Sequence, residues 1–332
     1  MSGGLERERA AKAVLAAAVR DRGDDLAPGL WRILDTRSAV LDDKAPAWRV
    51  IAAHVERRRG VKRALLDVRR LFVAPRVVRI QGTKTETQSA HVPVRVLMTK
   101  DGGLVGFDRA DSIVTHLRRT PLPAEYRERR VALGEVYSAV EWHLDDDDRL
   151  LREARVPGRP ARFWEPADRV ALLRVILAIS TERLSADTIS GPLTGDARAA
   201  LDELSGQSRW DDVSRAAQIV GDVPWVLAHG DLTPENILGE GPDKWGPIDF
   251  EDARPAPFFF DALSLAVRDD VMRAALIDGD LAEDWRDLLA AAGVDPVVLT
   301  PTIAMDVVAV IAADHHHRQH GGDFSYTLAS LT

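Results

Sequence analysis

The spacing of apolar positions changes twice along the chain. From residue 1 to about 70 it is helical: Ala10 to Val19 is alanine-rich, and Trp48 to Val55 and Val61 to Leu71 place apolar residues three and four apart. From Arg76 the period shortens toward two. Arg76 to Gln81, His91 to Met98 and Leu104 to Phe107 read as a three-strand meander, its second turn at Lys100-Asp101-Gly102-Gly103. A helix is expected around Pro123 to Leu133. Two further strands, Tyr137 to Leu144 and Leu150 to Arg155, flank the acidic run Asp145 to Asp148. After Pro166 the helical period returns, with Val170 to Ile179 almost wholly apolar and amphipathic stretches at Ala197 to Leu204 and Trp210 to Val220. One short β insertion interrupts it, where Ile237-Leu238 and Trp245 to Ile248 flank the turn at Glu240 to Asp243. The expected fold class is α+β in three parts: a helical N-terminal extension over 1–75, a β-rich lobe over 76–156, and a mostly helical lobe over 157–332.

Composition narrows the chemistry. A chain of 332 residues has room for two domains, and without cysteine it has no thiolate nucleophile, disulfide or sulfur-ligated zinc. No apolar run reaches the length of a membrane span, so a cytoplasmic protein with no membrane partner is expected. Nothing points to a nucleic-acid partner; a partner protein stays open. The net charge of −8 is unevenly distributed, with the first hundred residues basic and residues 201–332 strongly acidic. That polarity favours an anionic ligand near the start of the chain and a cationic one near its end; solvated helix faces are the plainer explanation.

The segment richest in chemistry is His229-Gly230-Asp231-Leu232-Thr233-Pro234-Glu235-Asn236-Ile237-Leu238, with Asp249 thirteen residues past Asn236 in Ile248-Asp249-Phe250. Phosphoryl transfer asks a protein to orient a hydroxyl and to screen phosphate charge with metal. A carboxylate, an amide and a second carboxylate suit those tasks, because Mg2+ takes hard oxygen ligands and only a few from protein. An ordinary turn at 229–231 and a helix cap at Asp249 are the structural alternatives.

HGDLTPENIL followed by IDFEDA resembles the catalytic loop and metal segment of the aminoglycoside phosphotransferase family, whose fold is the bilobal protein-kinase-like one. The resemblance implies transfer of a γ-phosphoryl group from ATP (or GTP), with Asp231 as catalytic carboxylate and Asn236 and Asp249 as Mg2+ ligands. It also implies that His229 shapes the loop and that Asp261, in Pro257 to Leu263, braces it, with helix capping as the competing role for Asp261. Leu150 to Gly158 is similar to the family's hinge, where backbone groups of Ala154 and Val156 would meet adenine. The phosphate-covering loop is expected at Gly82 to Ser89, with Lys84 and Ser89 near phosphate.

One departure stands out. Kinases carry a lysine on the third strand, paired with a glutamate of the next helix. The strand aligned to it, Leu104 to Arg109, has no lysine. Arg109, Arg95 or Lys84 are substitutes, with Glu125 and Glu128 as partners, unless the alignment is off by a strand. The acceptor is expected to be a hydroxyl-bearing small molecule, cationic and aminoglycoside-like. The alternatives are a Ser or Thr of a ribosomal peptide precursor, docked on the N-terminal extension, and a pseudokinase without turnover. His315-His316-His317 with His320 is a weak metal candidate, since consecutive helical residues face different ways.

Overall fold

The computed structural model describes residues 2–27, 29–33, 38–41, 77–80, 92–99, 102–108, 110–184 and 223–320. They form an α+β protein that separates into two compact units. The first comprises 1–123 and 140–155, the second 124–139 and 156–332.

The first unit is an antiparallel sheet with a helix on one face. Its elements are α1 (Ser2–Asp21), β1 (Gly29–Ile33), β2 (Ser38–Leu41), β3 (Val77–Ile80), β4 (Arg95–Met98), β5 (Leu104–Phe107), β6 (Ile113–Leu117), β7 (Trp142–Leu144) and β8 (Leu150–Ala154). The eight strands run β3-β1-β2-β4-β5-β6-β8-β7. Alternation along each strand puts Val96, Leu104, Leu117 and Leu150 on one face, where they pack with Leu15 and Val19 of α1 and with Trp31 and Ile33. The opposite face carries Val105, Val114, His116, Leu151 and Glu153, fixed by the pairs Val105↔His116, Val114↔Glu153 and His116↔Leu151.

This sheet corrects the sequence reading in three places. The segment 1–75 is not a purely helical extension: β1 and β2 are sheet strands, and β1 pairs both β2 and β3. Trp31 and Ile33, both buried, recur two apart, but so short a stretch does not stand out beside alanine-rich helix. The expected meander is also regrouped. β3 pairs β1 rather than β4, and the true meander is β4-β5-β6. Its third member, Ile113-Val114-Thr115-His116-Leu117, was not expected as a strand. The helices expected at 48–55, 61–71, 197–204 and 210–220 lie outside the described residues.

The acidic run before β8 is a turn. Asp145 accepts from the amides of Arg149, at 2.8 Å, and Leu150, at 3.0 Å, and Asp148 takes a left-handed φ of 54°.

In the second unit α2 (Tyr126–Tyr137) runs four residues beyond the expected helix, so Tyr137 ends a helix instead of starting a strand. β9 (Arg159–Pro160) precedes α3 (Pro166–Arg183), which has proline in its first turn and buries Leu172, Leu173, Ile176 and Leu177. β10 (Trp225–Ala228) pairs β13 (Arg254–Pro257), and the expected hairpin forms from β11 (Ile237–Gly241) and β12 (Lys244–Pro247). Then follow α4 (Phe260–Arg268), α5 (Asp270–Asp278), α6 (Ala282–Ala291) and α7 (Pro301–His320). The core of this unit is aromatic: Phe258, Phe259, Phe260 and Trp285 are all buried, and Phe259 meets Phe258 and Trp285 edge to face. No helix among the described residues is long and apolar enough to cross a membrane.

Candidate active site

β10 and β13 hold the two ends of the site. Their pairing sets Ala228 opposite Arg254, so the loop leaving β10 at His229 and the turn entering β13 at Asp252 lie side by side. The approach is so close that it dictates a residue type. Gly230 has φ of 87°, and a Cβ on it would stand 1.9 Å from the carbonyl oxygen of Asp252. Only glycine meets both demands.

Asp261, in the first turn of α4, fastens this loop. Its carboxylate accepts from the His229 amide at 2.8 Å, the Gly230 amide at 3.2 Å and the Tyr137 hydroxyl at 2.6 Å. The carboxylate thus bonds the amides of the loop, and α4 has no side-chain capping hydrogen bond at its start. Tyr137 is buried, and burial with the adjacent Asp261 carboxylate pushes its pKa well above 10.0. It stays a hydroxyl donor.

His229 joins the loop to the strand before Asp249. Its Nε2 lies 3.0 Å from the carbonyl oxygen of Ile248, and its ring meets that of Phe250 at 4.6 Å with the planes tilted by 43°. Burial lowers its pKa from 6.5, so the ring is neutral, donates from Nε2 and leaves Nδ1 without a hydrogen bond among the described residues. Arg130 of α2 lies over Phe250 at 3.6 Å, and Arg129 donates to the carbonyl oxygen of Ala253 at 2.8 Å. Asp249 sits between these restraints with φ of 65°, heading a single 3-10 turn. Its side chain makes no capping hydrogen bond there, so helix capping does not account for it.

Asp231 and Asn236 are brought together directly. The Asn236 amide donates from Nδ2 to the Asp231 carbonyl oxygen at 2.9 Å and to its carboxylate at 2.8 Å. The Asn236 carbonyl accepts from the Ile248 amide at 2.8 Å, which ties the hairpin to the loop. Burial first, then the carboxylates of Asp252 and Asp249, push the Asp231 pKa up from 3.8 to about 6. That combination is a test of fit for a divalent cation: negative charge has accumulated in a partly desolvated place, and a cation would relieve it. Among the described residues no three His, Cys, Asp or Glu side chains form a metal-holding group by themselves. Asn236 and Asp249 fit a cation that takes one or two protein ligands and completes its shell with phosphate and water, as Mg2+ does.

Solved structures to which the chain is similar include an aminoglycoside phosphotransferase from Streptomyces rimosus. The match has 17% identity and a TM-score of 0.38, covering 66% of this chain and 93% of that one. A choline kinase from Streptococcus pneumoniae matches at 14% identity and a TM-score of 0.43, over 70% and 91%. An amicoumacin kinase in complex with AMP-PNP and Ca2+ matches at 15% identity and 0.45, over 84% and 94%. No family model and no curated protein matches the chain.

The other expected residues fare differently. The Ala154 amide donates to the carbonyl oxygen of Glu141 at 2.8 Å, so it has no proton to offer a base edge. Val156 is buried beside Gly246. Lys84, Ser89 and Arg109 lie outside the described residues, as does the loop at Gly82 to Ser89. Glu125 and Glu128 are both exposed. The side chains of His315, His316, His317 and His320 lie outside the described residues as well. What the sequence reading missed is that Tyr137, Arg129 and Arg130 lock α2 onto the loop. Tyr137 was assigned to a strand, and no local signal marks a helix-end tyrosine as a partner for a residue 124 positions away.

Proposed function

We propose that this chain is an ATP- and Mg2+-dependent phosphotransferase acting on a hydroxyl group. The observation that carries the reading is the join at Asp231: a carboxylate pushed up to about 6, gripped by Asn236, on a loop that His229 and Asn236 tie to the segment bearing Asp249. In this reading Asp231 hydrogen-bonds the acceptor hydroxyl and receives its proton as the oxygen–phosphorus bond forms. The bond between the γ-phosphorus and the bridging oxygen breaks, and ADP carries the electron pair away. Asn236 and Asp249 hold Mg2+, which when bound screens the phosphate oxygens. Asp261 and Gly230 keep the loop in place and His229 stays neutral. Nucleotide contacts are assigned to the segment 76–156, with Val156 at the hinge and Lys84, Ser89 and Arg109 as candidates; the lobe over 157–332 is assigned to catalysis and the acceptor. ATP or GTP as the donor and a cytoplasmic location belong to the same proposal.

The acceptor is read as a small polar molecule. The acidic composition of residues 201–332 favours a cationic one, and the solved structures the chain is similar to include an aminoglycoside phosphotransferase and a choline kinase. A peptide acceptor had its motive in a helical N-terminal extension, and β1 and β2 are built into the sheet instead.

The test is ATP consumption and phosphate transfer with Mg2+ against aminoglycosides, choline, macrolides and a seryl peptide. Wild type is expected to modify at least one small cationic acceptor, and Asp231→Ala to lower kcat by about 10²–10⁴-fold with nucleotide binding retained. Equal turnover in the variant, or nucleotide binding without transfer to any acceptor, would refute the assignment.

A further inference from the structure

Arg183 is a buried cation that the proposed chemistry leaves unused. It is the last residue of α3. Taking a guanidinium out of water is costly, so the groups it meets show what holds it there. Its Nη2 donates to the carbonyl oxygen of Leu227 in β10 at 2.5 Å. Its charge also reaches the Tyr137 hydroxyl, where it opposes the upward pull of burial and of Asp261 on that pKa.

Both contacts bear on the loop that carries Asp231. Leu227 lies two residues before His229, and Pro255, opposite it in the β10–β13 pair, has no N–H to donate. The Tyr137 hydroxyl donates to Oδ2 of Asp261, the same oxygen that accepts from the His229 amide, while Oδ1 accepts from the Gly230 amide. Arg183, Tyr137, Asp261 and His229 are all buried, and all belong to the second unit. Arg169, near the start of the same helix, is differently employed: it pairs with Asp269, which caps α5, and joins helix to helix.

We infer that Arg183 is a positioning residue for the proposed reaction, holding the strand end at Leu227 and, through Tyr137 and Asp261, the amides of His229 and Gly230, so that Asp231 keeps one orientation toward its acceptor. The inference rests on the phosphotransferase reading and adds a residue which that reading does not name. Asp261 draws its hydrogen bonds from two amides and a hydroxyl, all neutral donors; Arg183 supplies positive charge one hydroxyl away. The arrangement makes α3, with α2 and α4, a third helix fastened to the loop.

The test measures phosphate transfer from ATP with Mg2+ across the acceptors named above, and ATP affinity by calorimetry. Arg183→Met, similar in bulk but without charge or donor, is expected to lower kcat by about 10- to 100-fold with ATP affinity unchanged. Arg183→Lys is expected to recover most of that loss. In a Tyr137→Phe background the methionine substitution is expected to cost less than it does alone, because the two side chains act on one carboxylate. Arg183→Gln keeps an amide donor without the charge, is expected to lower kcat in the same direction, and covers the case in which the methionine variant fails to fold. Unchanged kcat in the methionine or glutamine variant overturns the inference and leaves the phosphotransferase reading intact. So does an equal loss of kcat and ATP affinity that lysine does not rescue, which would mark Arg183 as structural. If wild type binds no ATP or transfers phosphate to none of the acceptors, the phosphotransferase reading itself fails and this one with it.

Discussion

Asp231 is a residue in conflict with its own fold. A carboxylate held at about 6 by burial and by Asp252 and Asp249 is harder to ionise when folded than when unfolded. The sign follows from linkage: the unfolded chain loses this proton near 3.8 and the folded chain near 6, so stability falls as pH rises through that interval and stays reduced above it. Asp231→Asn, freed of this cost, is therefore expected to melt at a higher temperature than wild type at pH 7.5 in chelator, with the difference vanishing below pH 4. Thermal melts across that range check it; equal melting temperatures at pH 7.5 would mean that the carboxylate is not under electrostatic strain. Stability lost at one residue in exchange for a reactive group is a recognised property of active sites.

At the scale of elements, α2 is the part whose role sequence could not supply. Three of its side chains reach the site: Arg129 to the Ala253 carbonyl, Arg130 to the Phe250 ring, and Tyr137 to the Asp261 carboxylate. Tyr137→Phe removes one donor from a buried carboxylate, at a cost of about 1.5–3 kcal/mol in urea unfolding. If the tyrosine also keeps the loop in register, kcat falls while the KM for nucleotide holds; a rise in KM with kcat unchanged would mean that α2 serves something other than the loop. Legibility followed locality. The loop from His229 to Asp249 was readable because its chemistry lies within 21 consecutive residues and its hairpin carries turn residues between apolar flanks. β1, β2 and β6 were not, because strands of four or five residues give few periods to count and their pairing is set by partners far along the chain. The helix boundary at Tyr137 failed for a related reason. The next strand begins only at Trp142, and the turn at Ser138, with φ of 49°, has no glycine to mark it.

For the whole molecule, the α+β class and the change from β-rich to mostly helical texture were visible in the hydrophobic period, while the division into units was not. Residues 124–139 group with the second unit, although the sequence places them inside the β-rich stretch. The central claim is the proposed dependence of the site on Mg2+. It is tested most directly by measuring ATP affinity with saturating Mg2+ and with chelator, in wild type and in Asp249→Asn. Wild type is expected to bind at least tenfold more tightly with Mg2+, and Asp249→Asn to lose most of that gain while keeping its metal-free affinity. Equal ATP affinity with and without Mg2+ in the wild-type protein would contradict the account.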